Sequence, residues 1–582
     1  MKRLLLKNKY VKKLNNNLKL KKFYSKGEKS NENSSSVLFW STGGMIIQTN
    51  LEAAIAVSLR LRGHKVKVIL CDGVYKACAK RVDFPDVPIN DWGKFCRSCI
   101  HQNSKLLERL GVDIGFISEY VSEEKALLLR EKAGKVNFGN YKNLSHDGIE
   151  LGSHLESAMT RHTRGGSFQG LENLLLEYAY AVLVNAEASN HAMKEFKPER
   201  VYMSHGIYAD WGPALSVFLH NKIPIVSYIC CYLTAHFFFG TVRDFKETFL
   251  TISERSWNIN KAGELTEIQL LRLNNFLDRR YFSNVTQDMK GLLKEYTGDN
   301  ELYYAKYQLD RNRKIWGIMT HINWDAASDY FGMIHNSFDE WLYETIKEIY
   351  KITDVQWLIK IHPSELIDNP ETGCQKFIEN NFPDLPSHIK VVKMDDNISP
   401  LDFYNLLDGG VTVMGTGGLE LSLKGKPVIL AGDAHYSGKG FTYDAADKAN
   451  YKKLLNDTVN MEILDQQKIA LASKYAYIYF IQKQIPLLPT ISEELLIDFS
   501  KLDFLIPGHN KFMDFICEKI ISGEDFILPE ELVELTHITN LVSEVNISST
   551  VIINETSTPK PKLSIMSLYL CIKKYIIINT GP

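Results

Sequence analysis

VTVMGTGGLELSLKGKPVIL, residues 411–430, is the stretch whose reading decides the fold. A short β-prone run stops at Gly415-Thr416-Gly417-Gly418, a helical segment continues through Lys424, Gly425 closes it, and residues 427–431 form a second apolar run. Strand, helix and strand in this order form a β-α-β unit. Such a unit implies a parallel sheet covered by helices, with ligands received at the carboxyl ends of its strands. Upstream the alternation continues, with strands expected at 315–319 and 355–361 and helices at 338–350 and 401–407.

Further toward the start the same logic recurs. Residues 37–40 read as a strand that exits through Ser41-Thr42-Gly43-Gly44, residues 45–61 carry a helical apolar stripe, and 66–70 return as a strand. Strands are also expected at 201–203, ahead of the small polar turn Ser204-His205-Gly206, and at 223–228. Residues 249–293 are helical and charged and read as bridging helices. Two β-α-β regions facing each other make a cleft. The fold class expected is therefore α/β, in two such domains, with a helical segment and a loose tail after residue 500.

The composition fits that reading. At 582 residues the chain is about four times the ~150 typical of one domain, and 45% hydrophobic with 24% charged residues is ordinary for a folded globular protein. Lys plus Arg number 68 against 69 Asp plus Glu, so the net charge of -1 gives no global field for nucleic acid, and none is expected as a partner. Local charge sits at residues 1–27, with nine Lys and Arg3 and no acid before Glu28. Interleaved with Leu4, Leu5, Leu6, Leu14 and Leu18, these lysines suit peripheral contact with an anionic membrane. The stretch 223–240, IPIVSYICCYLTAHFFFG, is interrupted by Pro224 and His236, so it reads as a buried strand and loop rather than a membrane span.

Four of the nine cysteines, Cys71, Cys78, Cys96 and Cys99, fall in a C-x6-C-x17-C-x2-C pattern. The CxxC half is a chelating spacing, and a second pair would complete a closed zinc site; an iron-sulfur cluster and plain buried thiols are the alternatives. A structural zinc is the cofactor expected.

Several elements carry chemistry. Gly415, Thr416, Gly417 and Gly418 open a helix, where unpaired backbone N–H groups and the positive dipole end attract phosphate; Glu420 in the first turn is placed to accept from ribose hydroxyls. Lys360 and His362 lie two residues apart at a strand end, share one face and can reach one anionic group, with Pro363 fixing the exit. His321-Ile322-Asn323-Trp324-Asp325 and the loop holding His435, Tyr436 and Lys439 follow other strands. Nearer the start, Asp147, Glu150 and His154, with Arg161, His162 and Arg164 after them, offer a general base for a hydroxyl nucleophile.

Taken in order, Asn323-Trp324-Asp325, His362-Pro363-Ser364-Glu365, Gly415 to Glu420, Gly425-Lys426-Pro427-Val428-Ile429 and His435-Tyr436-Ser437-Gly438-Lys439-Gly440-Phe441-Thr442 resemble the capsule polysaccharide biosynthesis glycosyltransferases. The likeness covers about 130 residues, 315–443. It implies a GT-B architecture of two Rossmann-like domains about a central cleft, divided as a basic tail at 1–36, an acceptor domain at 37–248, a helical linker at 249–310, a nucleotide-sugar domain at 311–500 and a C-terminal segment at 501–582. It also implies donor contacts from His362, Thr416 and Glu420 and catalysis with no bound divalent metal; the residues themselves add Lys360 and His435 on the donor side and Asp147, Glu150, His154 and Asp325 as catalytic candidates. Gly417-Gly418 stand where a CMP-sugar user would carry small hydroxyl residues, which argues against CMP-linked donors. The activity expected is transfer of a sugar, hexosyl or Kdo-type, from a nucleotide-sugar to a surface polysaccharide or lipid-linked glycan, in the cytoplasm at the inner face of the membrane. A nucleotide-sugar epimerase and a noncatalytic glycan-assembly protein are the alternatives.

Overall fold

The computed structural model describes residues 23–24, 34–42, 45–85, 87–283, 286–288, 292–326, 328–329, 332–368 and 371–536. Most of the basic stretch 1–36, the turn Gly43-Gly44 and residues 537–582 lie outside the described residues.

The first sheet is built from β1 (Ser36–Trp40), β2 (Lys65–Leu70), β3 (Ile114–Phe116), β6 (Arg200–Met203), β7 (Ile225–Cys230), β8 (His236–Val242) and β15 (Ile485–Pro486), while β4 (Ser145–His146) and β5 (Ile149–Glu150) form a separate hairpin. Its order is β15-β8-β7-β6-β1-β2-β3. β1 pairs in parallel with β2 and β6, Val37 lying opposite Val66 and Arg200. Val37, Leu38, Phe39 and Trp40 are all fully buried, as both-face burial in a parallel sheet requires. The stretch 223–240 forms β7 and most of β8, an antiparallel pair; the second half is thus a strand where a loop was expected. Among the described residues no helix is long and apolar enough to cross a membrane.

The second sheet contains β9 (Ile315–Met319), β10 (Gln356–Lys360), β11 (Ile389–Val392), β12 (Gly409–Thr412), β13 (Val428–Leu430) and β14 (Tyr443–Asp444), in the order β11-β10-β9-β12-β13-β14. Every pair in it is parallel. The helix Thr416–Leu423 connects β12 to β13, the β-α-β unit expected from residues 411–430. The two sheets are the centres of two Rossmann-like α/β halves.

Two segments differ from the divisions drawn on the sequence. The helices Glu254–Asn260, Glu267–Phe282 and Asn300–Tyr307 are not a free-standing bridge. Their Trp257, Leu273, Phe276, Tyr281, Tyr303 and Tyr307 share one buried cluster with Phe403, Tyr404, Leu419 and Tyr475 of the second half. The chain also returns to the first sheet at Ile485, where β15 pairs with β8, Ile485 opposite Phe237. Residues 501–536, which hold the helix Lys511–Ser522, pack on the first half, while the tail expected beyond them lies outside the described residues. Met513, Ile516 and Ile520 of the helix Lys511–Ser522 are buried in the cluster that holds Leu51, Ile55 and Leu59 of the helix Ile46–Leu61. Ser58 donates to the Leu505 carbonyl at 2.9 Å, and Arg62 pairs with Asp514. Alternating charge along 501–536 hides this apolar face from a reading that lacks its partner.

Candidate functional site

The carboxyl ends of the two sheets meet, and the expected donor-side residues gather there. Gly415 caps the helix Thr416–Leu423 with an extended backbone. The glycines at 417 and 418 are required by packing within the protein. A Cβ on Gly418 would stand 2.2 Å from the Tyr436 hydroxyl, and one on Gly417 would stand 2.7 Å from Met319 Sδ and 2.8 Å from the Tyr404 hydroxyl. The Tyr436 hydroxyl donates to the Gly415 carbonyl at 2.5 Å, pinning the turn from beneath. His321 braces it from the other side. Its Nε2 accepts from the backbone N–H groups of Val413 and Met414 at 3.2 and 3.4 Å and lies 3.0 Å from Thr412 Oγ1, while its ring stacks on Phe338 at 4.7 Å. Burial holds its pKa down to about 3, so it is a neutral brace for the turn.

Glu420 is 2% exposed and already engaged. Arg280 Nε donates to Oε1 at 2.8 Å and the Tyr281 hydroxyl to Oε2 at 2.9 Å. Arg280 also pairs with Asp288 and lies over the rings of Tyr232 and Phe480, at 4.7 and 5.9 Å from their centroids. The ribose contact expected of Glu420 would thus compete with two internal donors; its observed work is to hold Arg280 beside the turn. Thr416 Oγ1 reaches the Tyr232 hydroxyl at 3.5 Å, a contact between the two halves.

Lys360 and His362 follow one another out of β10. Burial lowers the Lys360 pKa to about 8, and its Nζ stands 5.3 Å from the Phe403 ring centroid. His362 Nδ1 accepts from the Ser364 backbone N–H at 3.3 Å and lies 2.7 Å from Ser364 Oγ, which assigns the ring proton to Nε2. Burial, then the Lys360 charge, lowers its pKa to about 4. His435 stacks on Tyr479 at 4.0 Å with Nδ1 3.0 Å from the Tyr475 hydroxyl, which itself donates to the His435 carbonyl; Nε2 is buried with no partner.

Across the cleft the four residues considered for catalysis separate. Asp325, just beyond β9, is 46% exposed and its Oδ1 accepts from Arg161 Nη1 at 2.9 Å and from the Tyr208 hydroxyl, both of the first half. The Arg161 guanidinium lies 4.5 Å from the Tyr208 ring centroid and 5.9 Å from that of Trp324, and Arg164 lies 4.9 Å from the Trp324 ring. His154 is 1% exposed, its Nδ1 bonded to Asp329 and its Nε2 2.8 Å from Ser216 Oγ. Asp329 also accepts the backbone N–H of Tyr208, whose φ is +65°, at 2.8 Å. Gly212 permits this packing, since a Cβ there would lie 2.3 Å from His154 Nδ1. His154 is therefore a buried bolt between the halves. Asp147 and Gly148, both at positive φ, are the two central residues of the hairpin turn joining β4 to β5, and Glu150 is its exposed rung. Asp147 lies 3.9 Å from His146 and groups with it and Glu187.

Cys71, Cys78, Cys96 and Cys99 line one hollow at the carboxyl ends of β1 and β2. Sequence reading missed Arg280, Tyr281, Tyr208, Tyr232 and Asp329. Arg280 sits in a charged helix where every third or fourth residue is Arg, Asp or Asn, and nothing local marks the one whose partner lies 140 positions away.

Residues 283–478 match the family model described as capsule polysaccharide biosynthesis protein. No curated protein matches the chain. Among solved structures, KpsC of Thermosulfurimonas dismutans, a beta Kdo 2,4 transferase, aligns at 15% identity over 47% of this chain and 78% of its own, with a TM-score of 0.31. A UDP-GlcNAc 2-epimerase from Neisseria meningitidis aligns at 12% over 76% and 97%, with a TM-score of 0.24. The matched segment carries His321, Asp325, Lys360, His362, the 415–418 turn, Glu420 and His435, and over that segment, about a third of its length, the chain is similar to the capsule polysaccharide biosynthesis family.

Proposed function

We propose that this protein is a glycosyltransferase that moves a sugar from a nucleotide-sugar donor to a surface polysaccharide or lipid-linked glycan acceptor. The observation that carries the reading is that the groups following β9, β10 and β12 stand at one edge of the second sheet, where the first half reaches them. On one wall a helix start at Gly415 stands with Lys360 and the Nε2–H of His362; on the other, Arg161 and Tyr208 reach across to Asp325. The acceptor hydroxyl attacks the anomeric carbon, the bond from that carbon to the phosphate oxygen breaks, and Asp325 receives the hydroxyl proton. Charge gathers on the departing phosphate, where backbone N–H groups, His362 and Lys360 stabilise it in place of a divalent ion. Arg161 orients Asp325 through Oδ1 and leaves Oδ2 for the incoming hydroxyl. The basic stretch 1–27 brings the enzyme to the anionic, cytoplasmic face of the membrane that holds its acceptor.

The test is thermal shift with UDP, GDP, CMP and dTDP on wild type and on His362→Ala, followed by nucleotide release with and without acceptor glycan. Ligand at about 100 times its dissociation constant stabilises by about 2.7 kcal/mol. One nucleotide should shift the wild type and not the variant, and its release from the sugar donor should depend on acceptor. Release without any acceptor would favour epimerisation, and no shift with any nucleotide would leave only a binding or assembly role.

A further inference from the structure

Four thiols remain that sugar transfer does not use. Cys71 follows β2 directly, Cys78 precedes the turn Ala79–Asp83, and Cys96 and Cys99 lie three apart on the helix Gly93–Leu110, so they face the same side. All four line one hollow with ≈ 510 Å³ of unfilled space including its open mouth. Burial pushes the Cys71 and Cys78 thiols well up from their ordinary values and raises Cys96 as well, so as bare groups they are protonated and poor nucleophiles. None is in a disulfide.

The hollow is nevertheless arranged around sulfur. The Gly73 backbone N–H donates to Cys71 Sγ at 3.3 Å, and Asn103 Nδ2 donates to Cys99 Sγ at 3.3 Å. Gly73 has φ +84°, and a Cβ on it would lie 3.3 Å from Cys96 Cβ, so a glycine lets the loop close over that cysteine. Trp92 and Phe95 supply an apolar wall and Lys80 a cation. N–H donors to sulfur in an apolar, partly screened setting are what a thiolate-bound metal centre uses to hold its charge.

The spacing chooses between centres. A single zinc with tetrahedral bonds of ~2.3 Å needs its sulfurs about 3.8 Å apart. Among the described residues no three of these sulfurs come within 4.8 Å of one another; the group that does so is His146, Asp147 and Glu187. A cuboidal cluster places each thiolate on a different iron and so takes ligands set farther apart. We propose that Cys71, Cys78, Cys96 and Cys99 bind a four-iron, four-sulfide cluster. Two ferrous ions, two ferric ions and four sulfides enter and the four thiol protons leave, so that a core of charge +2 is held by four thiolates with no change of oxidation state. The cluster ties the loop after β2 to the helix Gly93–Leu110. It also holds the opening turn of the helix Tyr208–His220, whose Asp210 lines the same hollow and accepts from the Ala79 N–H at 2.6 Å, while its neighbour Tyr208 meets Asp325. It is a positioning device for the first-half wall of the cleft.

The full chain, purified anaerobically or reconstituted with equal ferrous and ferric iron and sulfide, should hold about four irons and four acid-labile sulfides, with broad thiolate-to-iron visible absorption. Cys96→Ser and Cys99→Ser should lose that absorption, while Cys230→Ser, at an exposed position, should keep it. Zinc without sulfide, or a chain that takes up neither metal, would overturn the proposal. Wild-type metal and sulfide content decides the matter even if the serine variants do not fold.

Discussion

Arg280→Met is the most informative single change in this protein. Arg280 and Glu420 have side chains 8% and 2% exposed, so the variant deletes one charge of a buried pair and leaves the other without its main partner. Breaking such a pair costs about 3–5 kcal/mol. The Tyr281 hydroxyl still donates to Glu420 and Met retains apolar contact with Phe480, which puts the expected loss near the lower end; Asp288, 35% exposed, is rehydrated at little cost. With a slope of about 2 kcal/mol per molar urea, the unfolding midpoint should fall by roughly 1.5 M. The paired variant Arg280→Met/Glu420→Gln removes both charges and should recover most of that loss. Urea unfolding followed by tryptophan fluorescence measures both, because Trp257 shares the buried cluster with Tyr281. A single variant that loses less than about 1 kcal/mol, or a paired variant no more stable than the single one, would refute the idea that Glu420 depends on Arg280 for its burial.

Three further outcomes follow from the same geometry. Lys360, held to about 8, is cationic below that pH and neutral above it, so nucleotide affinity measured by calorimetry should fall as pH rises through 8, and Lys360→Met should abolish the dependence. Desolvation lowers the values of His205, His236, His321, His362 and His435 to about 3 or 4, so between those values and 6.5 the unfolded chain binds more protons; thermal stability should fall as pH drops through this window, with a shallower slope in His236→Gln. Asp325→Asn should lower acceptor-dependent turnover by about 10²-fold or more while leaving nucleotide binding in place, as expected when a proton acceptor is removed; equal loss of both would assign Asp325 to domain closure alone.

The parts of the fold that were legible in the sequence are those whose signal is local. Ile315–Met319 is a strand with the bounds its apolar run indicates, and the 411–430 stretch folds as strand, turn and helix because glycine punctuation and periodicity agree. What was not legible depends on partners distant in the chain. Ile485-Pro486 is too short to read as a strand until β8 is beside it, and Glu420 looked free because Arg280 lies 140 residues away. His154 reads equally well as a base or as a bolt; only the approach of Asp329, 175 residues on, decides. Asp147-Gly148 is an ordinary hairpin-turn dipeptide, a local signal that competes with its reading as an acidic group.

The return of residues 485–536 to the first sheet has a consequence for how the molecule can be made and recombined. During synthesis β8, with Phe237, Phe238 and Phe239 in a row, emerges from the ribosome some 240 residues before the strand that will cover its edge, so a nascent chain carries a sticky aromatic border for about two fifths of its translation. A gene chimera that exchanges the first half between relatives must therefore exchange two separated stretches of coding sequence, 34–248 and 485–536, or it inherits a sheet whose last strand was shaped for another protein.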